Sequence, residues 1–143
     1  MKRRRKWLSW KVIFLLAITI FFGIIIGMAY PTIDQFRSLR ITIHNQSDFD
    51  LTNVNASLVQ GEGSVNTGRD GSVYKLKKDV ASGKKVKFAP RLRPSGESSV
   101  HLQFTDSRGE IYNKTVCGYT EYLSGNTYVT VTNDNITVKE ECL

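Results

Sequence analysis

The residues able to do chemistry are few in this chain: two histidines, two cysteines and one dense run of basic side chains. His44 and His101 each take the polar parity of an alternating segment, with no carboxylate at relay spacing, and are expected as solvated surface residues. A zinc centre needs three or four ligands at recognisable spacing, and no such set is present. Serine, histidine and aspartate all occur, but no Gly-x-Ser-x-Gly frame holds a serine as a nucleophile. No catalytic residue, metal ligand or cofactor is therefore assigned, and a non-enzymatic chain is expected.

Cys117 and Cys142 lie late in the sequence without a Cys-x-x-Cys pattern or an adjacent histidine, which argues against a redox or metal pair. Strand parity groups Cys117 with Ile111, Thr115 and Tyr119, and Cys142 with Ile136 and Val138. Both sulfurs can thus face an apolar interior, and a structural disulfide is expected.

The basic run is the most uneven feature. Lys75, Lys77, Lys78, Lys84, Lys85, Lys87, Arg91 and Arg93 share a stretch that contains one acid, Asp79, so the segment is strongly positive and the rest of the outer domain negative. Alternation sets Lys75 and Lys77 opposite to Tyr74 and Leu76, and Lys85 and Lys87 opposite to Val86 and Phe88. Edge strands commonly carry lysine simply to discourage aggregation. The sharper expectation is that Lys75, Lys77, Lys85, Lys87, Arg91 and Arg93 form a patch for an anionic envelope component or an acidic protein.

Residues 61–71 hold four glycines, yet no Lys-Ser or Lys-Thr and no helix follows, so a surface loop is expected in place of a phosphate cradle. Asn45, Asn55, Asn113 and Asn135 each begin an N-glycosylation pattern, a short pattern that arises often by chance.

These groups must be positioned by the elements around them. Val12 to Tyr30 is nineteen residues without a charge, about 28 Å as a helix against a hydrocarbon core of about 30 Å. Lys2, Arg3, Arg4, Arg5, Lys6 and Lys11 precede it with no acid among them, which predicts a cytoplasmic N-terminus and an extracytoplasmic remainder. Much of the chain's net charge of +7 is thereby a topology signal, and nucleic-acid binding is not expected. Trp7, Trp10 and Tyr30 suit interfacial anchoring, and Pro31 is expected to stop the helix. Gly27 and Ala29 supply small residues for a signal peptidase, but the apolar run exceeds the usual 7 to 15 residues or so of a signal peptide's core, favouring a retained anchor. Gly23 and Gly27 have the small-xxx-small spacing of paired membrane helices, a weak signal that leaves homo-oligomerisation open.

Beyond Ser38 the pattern has period two. Leu39, Ile41 and Ile43 alternate with polar residues, as do Val54, Ala56 and Leu58, and later Val100, Leu102 and Phe104. Asp106-Ser107-Arg108-Gly109 and Asn133-Asp134-Asn135 read as hairpin turns. The expected organisation is a basic tail (1–11), a transmembrane helix (12–30), a juxtamembrane linker (31–38) and an all-β extracytoplasmic domain (39–143). About seven strands in an antiparallel, immunoglobulin-like sandwich are expected there, with a small open barrel as the other option.

This layout of basic N-terminus, single apolar span, short β domain and late cysteine pair resembles small membrane-anchored extracytoplasmic proteins of Gram-positive bacteria. The likeness is one of layout and carries over no functional residue; a non-enzymatic binding module of the cell envelope, using the basic strand face or the glycine-rich loop, is expected. An immunity-like or inhibitory protein acting on a toxin or enzyme at the membrane surface is the alternative.

Overall fold

The computed structural model describes residues 3–60, 64–65, 72–94 and 96–143, in two compact units that divide at Asp34 and Gln35. The first unit is one helix, α1 (Arg3–Gln35). Its apolar part, Trp10–Tyr30, has a mean hydropathy of 2.8, is long enough to cross a membrane, and buries none of its side chains against protein. The side chains of the Lys2–Lys6 cluster and of Trp7 lie outside the described residues.

Pro31 does not end the helix, contrary to the expectation; α1 continues to Gln35. A proline removes one backbone donor from the helix. A long helix already propagated on both sides absorbs that single loss, whereas a nascent one would not. At 33 residues α1 is about 50 Å long, more than the roughly 30 Å of a hydrocarbon core.

The second unit is mostly β. Its strands are β1 (Arg40–Asn45), β2 (Leu51–Gln60), β3 (Ser64–Val65), β4 (Val73–Lys75), β5 (Lys85–Phe88), β6 (Ser98–Asp106), β7 (Ile111–Thr120), β8 (Gly125–Val131) and β9 (Ile136–Cys142). They form two packed sheets, one ordered β5-β1-β8-β9 and the other β3-β2-β6-β7, with β4 also paired to β2. Nine strands among the described residues stand against the expected seven or so; β3, two residues long, falls in the glycine-rich segment read as a surface loop.

The alternating residues meet between the sheets. Ile41, Ile43, Val54, Ala56, Leu58, Val100, Leu102 and Phe104 are all buried in one cluster. Both expected turns form: Asp106 accepts from the Gly109 amide across the β6–β7 turn, and Thr132 pairs with Asn135 between β8 and β9. One pair departs from the antiparallel expectation, since β1 runs parallel to β8 from Arg40 opposite Asn126 to Asn45 opposite Val131. Alternation reports which face a residue takes and carries no information on the direction of its neighbour.

Cys117 and Cys142 form a disulfide with Cα atoms 6.1 Å apart, joining β7 of one sheet to β9 of the other. Cys117 does not share a face with Ile111, Thr115 and Tyr119, contrary to the expected parity. The β6–β7 register shifts on either side of Val100, with Val100 opposite Cys117 and His101 opposite Thr115, so Val116 and Cys117 are both buried while Ile111, Thr115 and Tyr119 face outward. A bulge delivers the sulfur to the interior.

Gly125, opposite Cys142, shows how closely β9 is laid down. Its φ is +100°, and a Cβ there would lie 2.8 Å from the Cα of Cys142 and collide with the carbonyl oxygen of Glu141. Only glycine meets both demands.

Candidate functional site

The basic residues are organised by two edge elements. β4 pairs with β2 through Lys75, Tyr74 and Val73 opposite Asn55, Ala56 and Ser57. The pairing is extended by a hydrogen bond from the Leu76 amide to the Val54 carbonyl. β5, the outermost strand of the other sheet, pairs with β1 and sets Lys85 opposite His44 and Lys87 opposite Thr42. The inward rings of these two strands meet: Tyr74 stacks on Phe88 with centroids 5.7 Å apart and planes at 12°. This seam joins the two sheets along one side of the domain.

Because side chains alternate, the neighbours of the inward Tyr74, Leu76, Val86 and Phe88 point out, and Lys75, Lys77, Lys85 and Lys87 are all exposed. Lys85 and Lys87 leave one sheet and Lys75 the other, with Lys77 two residues past the end of β4, so the two pairs flank the seam. Two packed sheets are about 10 Å apart, and strand parity does not point pairs across that spacing at one small anion. Arg91 and Arg93 are exposed on either side of buried Leu92, in the connection between β5 and β6 and outside both sheets. The structure therefore brings four of the six predicted residues to one seam and leaves the two arginines on the adjoining connection.

A second polar cluster was not anticipated by sequence. Asp106 ends β6 with its side chain only 3% exposed. It accepts from the backbone amides of Arg108 and Glu110 at 2.9 and 3.0 Å, and from Arg108 Nε and Nη2 at 2.9 and 2.7 Å. The Arg108 guanidinium also lies 4.1 Å from the centre of the Phe49 ring, a cation–π contact that ties the β1–β2 connection to the β6–β7 turn. Beside it opens a cleft of about 200 Å³, floored by Leu51 and Val131 and rimmed by Lys114 and Asp134. The donors of Arg108 that bind Asp106, Glu110 and Tyr112 are committed inside the protein, and the cluster reads as a clamp on the turn.

That clamp carries a pH signature. Burial alone pushes the Asp106 carboxyl up, but the Arg108 hydrogen bonds together with the Glu110 and Arg108 amides outweigh it and hold the group below the usual aspartate value. A depressed value means stability that is present above about pH 4 and is lost as pH falls through the lower, folded value. Asp106→Asn is accordingly expected to be less stable at neutral pH and to show a flatter pH dependence below about pH 4 than the parent. Denaturant melts between about pH 5 and pH 2 check this; parallel profiles for the two proteins would place the acid sensitivity elsewhere.

The remaining candidates do not assemble into a reactive centre. His44 contacts Gln46 at 3.2 Å and His101 contacts Thr115 at 3.5 Å, on β1 and β6 of different sheets. Among the described residues no group of three or more His, Cys, Asp or Glu side chains could hold a metal ion. Tyr119 is exposed but its phenol is pushed up to about 12, chiefly by its 2.6 Å hydrogen bond to Glu121, so it stays protonated. The glycine-rich segment lies outside the described residues except for Ser64 and Val65.

Of the four glycosylation patterns, Asn113 and Asn135 are exposed and Asn55 is half-buried. Asn45 is fully buried, and its amide donates to the Phe49 and Val80 carbonyls at 2.7 and 3.0 Å while its oxygen accepts from the Ser47 amide and hydroxyl. It is a structural residue inaccessible to a glycan in the folded chain. The only sequence hint was its place at the end of a β run just before turn-forming residues.

No protein-family model and no curated protein matches this chain. Among solved structures it is similar to one described as the NMR structure of the protein from Eubacterium rectale. The identity is 18%, over 77% of this chain and 94% of that one, with a TM-score of 0.47.

Proposed function

We propose that this chain is a single-pass, membrane-tethered binding module of the cell envelope, without catalytic function. In this reading the N-terminus is cytoplasmic and the β domain extracytoplasmic, built as an immunoglobulin-like sandwich in which, among the described residues, the β1–β8 pair alone runs parallel. Three features support the placement: the apolar span Trp10–Tyr30, the basic residues that precede it, and a disulfide that persists in oxidising compartments.

The observation that carries the functional half is the Tyr74–Phe88 seam, flanked by exposed Lys75 and Lys77 on and just after β4 and by exposed Lys85 and Lys87 on β5. Such a basic edge suits an anionic partner through long-range attraction that falls with salt. The test replaces Lys75, Lys77, Lys85 and Lys87 by Glu in the full-length protein and measures binding to isolated membranes and wall material at low salt. Binding is expected to weaken by more than about tenfold, with the melting temperature nearly unchanged because all four side chains are exposed. Unchanged binding would sink the proposal.

A further inference from the structure

We infer that the anionic partner of the lysine seam is the headgroup layer of the same membrane that holds α1, met by the edge of the β domain. This rests on the proposed function and names its ligand. Two observations favour an extended lipid surface over a soluble anion.

The first is the placement of the lysine pairs. Lys85 and Lys87 leave one sheet, Lys75 the other with Lys77 just past the end of β4, and the aromatic seam lies between the two pairs, so strand parity does not point them at one small anion. An anionic layer approached edge-on can receive both pairs at once, each long side chain reaching the headgroups on its own side of the seam.

The second is the shortness of the tether. Residues 31–39 separate the apolar span from the start of β1, and five helical plus four extended residues span at most about 21 Å. A binding surface held on so short a tether meets that membrane at high effective concentration, so weak lysine contacts suffice. Ile33 and Phe36, beside this junction, are exposed apolar side chains, which suit an interfacial environment.

The experiment places the full-length protein in nanodiscs of phosphatidylcholine alone or mixed equally with phosphatidylglycerol, and follows lysine acetylation rates by mass spectrometry. Lys114 on β7 and Lys139 on β9, away from the seam, serve as internal references. In the anionic discs Lys75, Lys77, Lys85 and Lys87 are expected to react roughly threefold more slowly relative to the references, with recovery at high salt. Equal rates in both discs, or an equal slowing of the references, would overturn the inference.

A parallel arm adds a soluble glycerol-phosphate polymer to the phosphatidylcholine discs. Protection of the same four lysines by polymer and not by anionic discs would overturn the lipid assignment and leave the broader anionic-partner reading standing. Protection in neither arm would overturn both.

Discussion

Replacing Cys117 and Cys142 together by Ser is expected to lower the unfolding free energy of the β domain by about 3 to 4 kcal/mol, the chain-entropy value for a loop closed over 25 positions. The loop contains the whole of β8 and nearly all of β9, and the bond sits where the edge of one sheet lies against the edge of the other. Without it β9 keeps its full ladder to β8, Gly125 opposite Cys142 through Val131 opposite Ile136. It also keeps the Thr120 hydroxyl's hydrogen bond to the Leu143 carbonyl at 2.6 Å and that of the Leu143 amide to Ser124 at 3.1 Å. The loss should therefore appear as easier global unfolding together with faster amide exchange at the end of β9. Denaturant melts followed by circular dichroism, with hydrogen exchange, separate the two effects. A loss below about 1 kcal/mol would show that these terminal hydrogen bonds fasten β9 unaided.

The same cysteine pair shows what could be read from sequence and what could not. Composition and spacing were enough to pair the two sulfurs, since a disulfide needs only two partners in a suitable compartment. The face that Cys117 occupies was not readable by counting in twos, because the bulge near Val100 lets Val116 and Cys117 both be buried. The lysines of β4 and β5 were legible for the opposite reason: no bulge interrupts Val73 to Leu76 or Lys85 to Phe88, so parity alone set their direction. Their meeting along one seam was hidden. It depends on which strands become edges and on a Tyr74–Phe88 contact between sheets, both of which are properties of topology. Pro31 erred differently, as a local rule was applied to a helix whose length outweighs one lost hydrogen bond.

Asn45 is the residue whose role sequence concealed most fully, and its replacement should be costly. Asn45→Ala removes two donors and one acceptor from a site with no exposure, leaving the Val80 carbonyl and the Ser47 amide without that partner. A loss of about 1 to 3 kcal/mol is expected, chiefly from the stranded Ser47 amide, since the Val80 carbonyl keeps the Leu51 amide, against less than about 0.5 kcal/mol for Asn113→Ala on an exposed strand position. Asn45→Asp sharpens the test. It is nearly the same shape, but a carboxylate would face the Phe49 and Val80 carbonyls without a proton to offer them. Burial and those acceptors both favour the protonated form, so the introduced group has a folded value raised above its unfolded one. Its penalty is therefore largest at neutral pH and shrinks as pH falls through the raised value, the reverse of the trend expected at Asp106. Opposite slopes at these two positions, measured by melts of the full-length protein, would establish that Asn45 acts as a donor. A pH-independent penalty in Asn45→Asp would instead mean that water reaches the site and that the β1–β2 connection is held by other contacts.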